Sequence, residues 1–139
     1  MINEIIINKT QIIEKTLKRV NETYNNNPKH LKDYDKQDVI VLNLQRACQA
    51  VIDISMYICK DKKLGIPQHS SNAIANLSEN DIIPEKLATN LKHMVGFRNI
   101  AVHDYQSLNL AILKTIIEED LSDFKDFATI VLSFYDKND

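Results

Sequence analysis

The sequence predicts an all-α fold, an antiparallel bundle of four to five helices forming a single domain over residues 1–139. Three observations lead there. Two glycines and three prolines are too few turn formers for a chain rich in hairpins. Apolar residues recur three and four positions apart instead of alternating, which is the period of a helix face. The breaks between these runs are short, so successive long helices should return antiparallel.

Ile6, Ile13, Leu17, Val20 and Tyr24 share one helical face, and the turn formers of YNNNPKH, with Pro28, close that first helix. From about Asp35 to Lys63 a second helix carries apolar residues on nearly every side, among them Val39, Leu42, Ala47, Val51, Ile54 and Ile58. It is the expected central helix. Its polar residues Asn43, Arg46, Gln49 and Asp53 fall on one stripe, suited to internal hydrogen bonds or to an interface, internal bonding being the plainer reading. Gly65 and Pro67 then break the chain, SNAIANL gives a short amphipathic helix, and Pro84 suits the first turn of a helix through EKLATNLKHMVGFRN. Ser107 is placed to cap a last long helix with Leu113, Ile117, Leu121, Phe124, Ala128, Val131 and Tyr135 on one side.

Composition excludes several classes of function. A net charge of −2 argues against a protein that coats nucleic acid by charge alone, although residues 1–105 hold 14 basic against 12 acidic groups and residues 106–139 hold 3 against 7. A polyanion is expected to meet the earlier part of the chain. Cys48 and Cys59 are too few and too far apart for a disulfide scaffold or a zinc knuckle, and read as buried, reduced thiols of a cytoplasmic protein. The opening MINEIIINKTQ lacks a basic leader and a cleavage site, and no uncharged stretch approaches the roughly 18 residues of a membrane span. No export and no membrane contact are expected. No metal is expected either, because no His, Asp, Glu or Cys lies three or four residues from His103, and the run EEDLSD, with Asp120 and Asp123 on one face, reads as a solvated helix surface.

The segment RNIAVHDY, residues 98–105, does not fit a plain core helix. Leu87, Leu91, Met94, Arg98, Ala101 and Tyr105 follow a strict four-three spacing, so Arg98 falls on the stripe that should face the core. A guanidinium is almost never buried there without a partner. His103 follows five residues later and, at about 100° per residue, stands about 140° away from Arg98 on an unbroken helix. It shares a face with Gly96 and Asn99, small enough for another backbone to come close. Either the helix deforms after Asn99, or a second copy of the chain brings its own residues across a symmetric interface. Taken singly, each residue also has a structural reading: Arg98 tied to a carboxylate such as Asp53, His103 a hydrogen-bonded histidine, Asp104 a helix-end acceptor, Tyr105 a core aromatic, Gly96 packing relief or a bend.

The segment MVGFRNIAVHDY resembles the signature of HEPN-domain proteins, an arginine, a polar residue and then a histidine in the pattern R-x(4 to 6)-H. Arg98, Asn99 and His103 match in order, and Tyr105 extends the pattern to R-x-x-x-x-H-x-Y, which is similar to the HepT branch, the toxin half of HepT–MntA toxin–antitoxin pairs. The likeness takes in the GIP of residues 65–67, ENDIIPEKLATNL and LSDFKDF, and so most of the chain. R-x-x-x-x-H alone is a weak pattern; GFRN before it and DY after it make it specific.

The resemblance implies a metal-independent endoribonuclease, without cofactor, acting as a homodimer on RNA, with tRNA the favoured substrate. Arg98 and His103 would be catalytic, Asn99 and Asp104 supporting, and Tyr105 the residue that a MntA-like nucleotidyltransferase antitoxin modifies with AMP from ATP. The chemistry of the side chains agrees. Cleavage through the RNA's own 2′-hydroxyl needs a base, an acid and a fixed positive charge on the phosphate. A histidine with an unperturbed pKa of about 6.5 serves as base or acid, and an arginine fork binds two phosphoryl oxygens while staying charged. The alternative is a non-catalytic helical subunit that binds substrate for a nucleotidyltransferase.

Overall fold

The computed structural model describes residues 3–103 and 109–137, with only the backbone of Val102 and His103. Every regular element among them is helical. α1 spans Glu4–Tyr24, α2 Tyr34–Asp61, α3 Ser70–Glu79, α4 Glu85–His103, α5 Leu110–Thr115 and α6 Leu121–Lys137, with a 3-10 turn at Pro28–Lys32 and a π-helical turn at Ile116–Asp120. α5, the π turn and α6 run on without a break, so the fold has the five-rod layout expected.

Local chemistry sets the ends. The Asn3 side chain accepts from the Ile6 amide at the start of α1, and Asn25 in the left-handed region (φ 49°) ends that helix. Asp33 caps α2 by accepting from the amides of Asp35 and Lys36. Gly65, at φ +105°, turns the chain out of α2 in a conformation that other residues resist. Pro84 lies one residue before α4, its carbonyl accepting from Ala88, so it starts the helix from the cap position instead of the first turn. Asn109 caps α5 through the amides of Ala111 and Ile112. The expected cap, Ser107, lies outside the described residues.

α2 is the centre. α1 packs along it, α3 and α4 lie against it, and α6 closes the bundle against α1 and α4. Ile6, Ile13, Leu17, Val20 and Tyr24 all face the core, as do Ala47, Val51, Ile54 and Ile58. The last helix buries Leu113, Ile117, Leu121, Phe124, Val131 and Tyr135 as read, and Phe127 with them. α2 is long and apolar enough to meet the composition of a membrane span, yet 61% of the relevant window is buried inside the bundle. That is the pattern of a core helix.

Leu42, expected among the apolar residues of the central helix, is 44% exposed, and Met56 is 40% exposed. With Arg46, Gln49 and Asp53 these two follow a four-three spacing, so they belong to a single outward stripe. That stripe is where the bundle meets the candidate site.

Candidate active site around Arg98

α4 carries Arg98 on its inner stripe. Leu87, Leu91, Met94 and Ala101 on that stripe are buried, whereas Arg98 is half-buried and reaches out over α2. Its Nη2 donates to Gln49 Oε1 at 2.7 Å, and its Nη1 donates to Asn99 Oδ1 at 3.1 Å. Gln49 Nε2 in turn donates to Asp53 Oδ1 at 2.8 Å, and Lys9 Nζ lies 2.9 Å from Asp53 Oδ2. The direct Arg98–Asp53 tie considered from the sequence is therefore absent. Asp53 is one residue removed, with a neutral amide between.

The consequence is electrostatic. Among the described residues no carboxylate pairs with the guanidinium, so its charge is held in place but not cancelled. Two of its donors are engaged, which leaves others for an incoming oxyanion. The buried Cys48 lies close by, its Sγ 3.5 Å from the Met94 carbonyl. Burial pushes this thiol up to about 12, against the opposing pull of Arg98, so it stays protonated and is no nucleophile. Cys59 is likewise buried and free, its thiol pushed up by burial.

Two clefts reach the partners of Arg98, one at Gln49 and one at Asn99. One, of about 440 Å³, runs between α1 and α2 and is lined by Lys9, Lys15, Arg46, Gln49 and Asp53. The other, of about 520 Å³, lies between the start of α3 and α4 and is lined by His69, Ser70, Lys92, Gly96 and Asn99. Both fall within the range of ligand clefts, roughly 300–1,000 Å³. Cations outnumber carboxylates along both, as a polyanion requires.

The backbone of α4 stays helical through His103. A deformation after Asn99 is thus excluded up to that residue, and about 140° still separates the Cα directions of Arg98 and His103. Gly96 and Asn99 are exposed, and a Cβ added to Gly96 would meet nothing within 4 Å. Packing relief inside the chain does not explain this glycine. Asp104 and Tyr105 lie outside the described residues. On the acidic run, Asp120 is half-buried, and burial with Asp123 and Glu119 alongside pushes its carboxyl up. No group of three potential metal ligands comes together among the described residues.

With this geometry in view, comparison with known proteins is informative. A family model described as ribonuclease HepT-like matches residues 11–131. The mRNA nuclease HepT of Shewanella oneidensis is 44% identical over 129 residues, covering 93% of this chain and 97% of that protein. The chain belongs to the HepT-like ribonuclease family. Solved HepT-like structures share its fold. The tri-AMPylated HEPN toxin of Shewanella oneidensis, solved in complex with the MNT antitoxin, superposes with a TM-score of 0.91 at 44% identity, over 95% of this chain and 99% of that one. A toxin–antitoxin structure with AMP-PNP matches with a TM-score of 0.89 at 43% identity, over 94% and 99% of the two chains.

What the sequence did not reveal is the link from Arg98 to Gln49. The polar stripe on α2 marked Gln49 as hydrogen-bonded, but a partner 49 positions away leaves no local trace. Only the packing of α4 on α2 supplies it.

Proposed function

We propose that this chain is the toxin of a toxin–antitoxin pair, a cytoplasmic, metal-independent endoribonuclease whose site combines Arg98 and His103. The observation that carries the reading is a guanidinium that no carboxylate pairs with among the described residues, fixed by two amide oxygens between two clefts in which cations outnumber carboxylates. Arg98 binds the non-bridging oxygens of the scissile phosphate. A histidine removes the 2′-hydroxyl proton, the 2′-oxygen attacks phosphorus, and the 5′-oxygen leaves with a proton from an acid. The products are a 2′,3′-cyclic phosphate and a 5′-hydroxyl. Asn99 orients the guanidinium or the phosphate, and Asp104 supports the end of the motif. The full motif, with relatives named as nucleases, supports this reading over the purely binding subunit.

The substrate is RNA. The motif resemblance favours tRNA, while the Shewanella relative is named an mRNA nuclease. Sequencing the cut ends of cellular RNA after expression without the antitoxin distinguishes the two. The partner is a MntA-like nucleotidyltransferase, as in the complexes of the relatives. It silences the toxin by attaching AMP to Tyr105.

The active species is a twofold homodimer with a composite site. A continuous helix cannot bring its own Arg98 and His103 together, and the exposed Gly96 and Asn99 face suits close approach of a second copy. Mixing Arg98→Ala chains with His103→Ala chains should restore about a quarter of wild-type activity, since half of freely exchanging dimers are mixed and each keeps one intact site. No recovery in a verified mixed dimer, or full activity in a monomer, contradicts the composite site.

A further inference from the structure

The contacts that hold Arg98 continue across three helices. Asn99 Oδ1 accepts from one terminal nitrogen of the guanidinium and Gln49 Oε1 from the other. The Gln49 amide nitrogen donates to Asp53, four residues along α2, and Lys9 of α1 clamps the second oxygen of Asp53. This order fixes the amide's orientation. Turned over, it would set its NH₂ against the guanidinium and its carbonyl against the carboxylate, losing both bonds.

The position of the amide also decides what Arg98 can do. A carboxylate at residue 49 would take the fork for itself and cancel the charge meant for phosphate. A neutral acceptor holds the guanidinium without cancelling it, and the carboxylate one step further back holds the acceptor. The Lys9–Asp53 pair is about one-third exposed on each side, where such pairs contribute little to stability. Stability does not account for the run of contacts, whereas aim does.

We propose that Gln49 is a positioning residue for Arg98, an uncharged spacer that aims the guanidinium at the scissile phosphate while Asp53 and Lys9 fix its own orientation. The inference rests on the reading of Arg98 as the phosphate-binding group. Displacement of a reacting group by about 1 Å can cost on the order of 100-fold in rate. Gln49→Ala should therefore lower kcat about 10- to 100-fold, change KM less than about threefold, and leave the thermal midpoint nearly unmoved.

Gln49→Glu separates aim from mere tethering. It keeps an acceptor for Arg98, so a structural tether would survive it; a spacer whose neutrality matters would not, and kcat should fall at least as far as in Gln49→Ala. The third arm is the pair with Arg98→Lys, a background weakened but active enough to measure. If Gln49 acts through the guanidinium, adding Gln49→Ala there should cost less than about threefold. Near-wild-type kcat in Gln49→Ala or in Gln49→Glu overturns the proposal, and so does a full, multiplicative loss in the Arg98→Lys background. Should Arg98→Ala itself cleave normally, the active-site reading fails, and this inference with it. If Arg98→Ala is dead and the Gln49 variants are normal, only the positioning role is lost.

Discussion

Arg98→Ala and His103→Ala should each lower RNA cleavage at least about 100-fold and remove toxicity while leaving a folded helical protein. For Arg98, the loss of a preorganised charge facing the transition state is expected to cost on the order of 10²–10³ in kcat, and for His103 the loss of a general acid or base about 10²–10⁴. The Arg98 change removes little of the core. Arg98 is half-buried and, among the described residues, its polar end meets Gln49 and Asn99, whereas the bundle rests on aliphatic and aromatic side chains such as Leu91, Phe124 and Phe127. Circular dichroism and a urea melt on each variant separate lost chemistry from lost fold. Wild-type cleavage by either variant contradicts the assignment, and unfolding of Arg98→Ala would make the Gln49 contact structural.

Tyr105→Phe escapes the antitoxin's covalent silencing but keeps most of its nuclease activity. AMP transfer requires the phenolic oxygen to attack the α-phosphorus of ATP with loss of pyrophosphate, and phenylalanine lacks that oxygen. The proposed mechanism uses His103 and Arg98 and needs no phenol. The block follows from charge and place. On the proposed mechanism, an adenylate attached two residues beyond His103 in the sequence would add an anion able to compete with the RNA phosphate for Arg98. Intact mass after incubation with the partner, ATP and magnesium should show at least one AMP-sized increment on the wild type. Tyr105→Phe should show none. Increments that persist in the variant place the modification elsewhere, and none on the wild type would leave inhibition to binding alone.

The parts of the fold that local chemistry determines were legible in the sequence. The core face of α1 needed only its spacing, and the break at Asn25–Pro28 needed only turn formers. Leu42 was read with the buried residues of α2 although it lies on the outward stripe, because periodicity by itself does not say which face a bundle leaves open. The π turn at Ile116–Asp120 went unread although a signal existed. Leu113, Ile117 and Leu121 are spaced by two successive fours, which on a regular helix would drift by about 80°. All three are buried, and a wider turn between them restores the face.

The candidate site was legible in a different way. Arg98 announced itself as a charge on a core stripe, and the angle to His103 posed the question of a second chain. Asp53 was the wrong first partner for Arg98, because a carboxylate is the usual mate of a buried arginine and the intervening Gln49 depends on how α4 lies across α2. Asp104 and Tyr105 fall outside the described residues, so their roles rest on the motif.

A ribonuclease that uses the RNA's own 2′-oxygen and no metal leaves distinctive product ends. Purified chain, expressed without its antitoxin, is incubated with labelled RNA in EDTA, and the fragments are analysed for their termini. Cleavage should be undiminished by the chelator, with 2′,3′-cyclic phosphate and 5′-hydroxyl ends, since an internal 2′-oxygen nucleophile dictates them. Cleavage that needs added magnesium and leaves a 5′-phosphate, the mark of a metal-activated water, would contradict this mechanism.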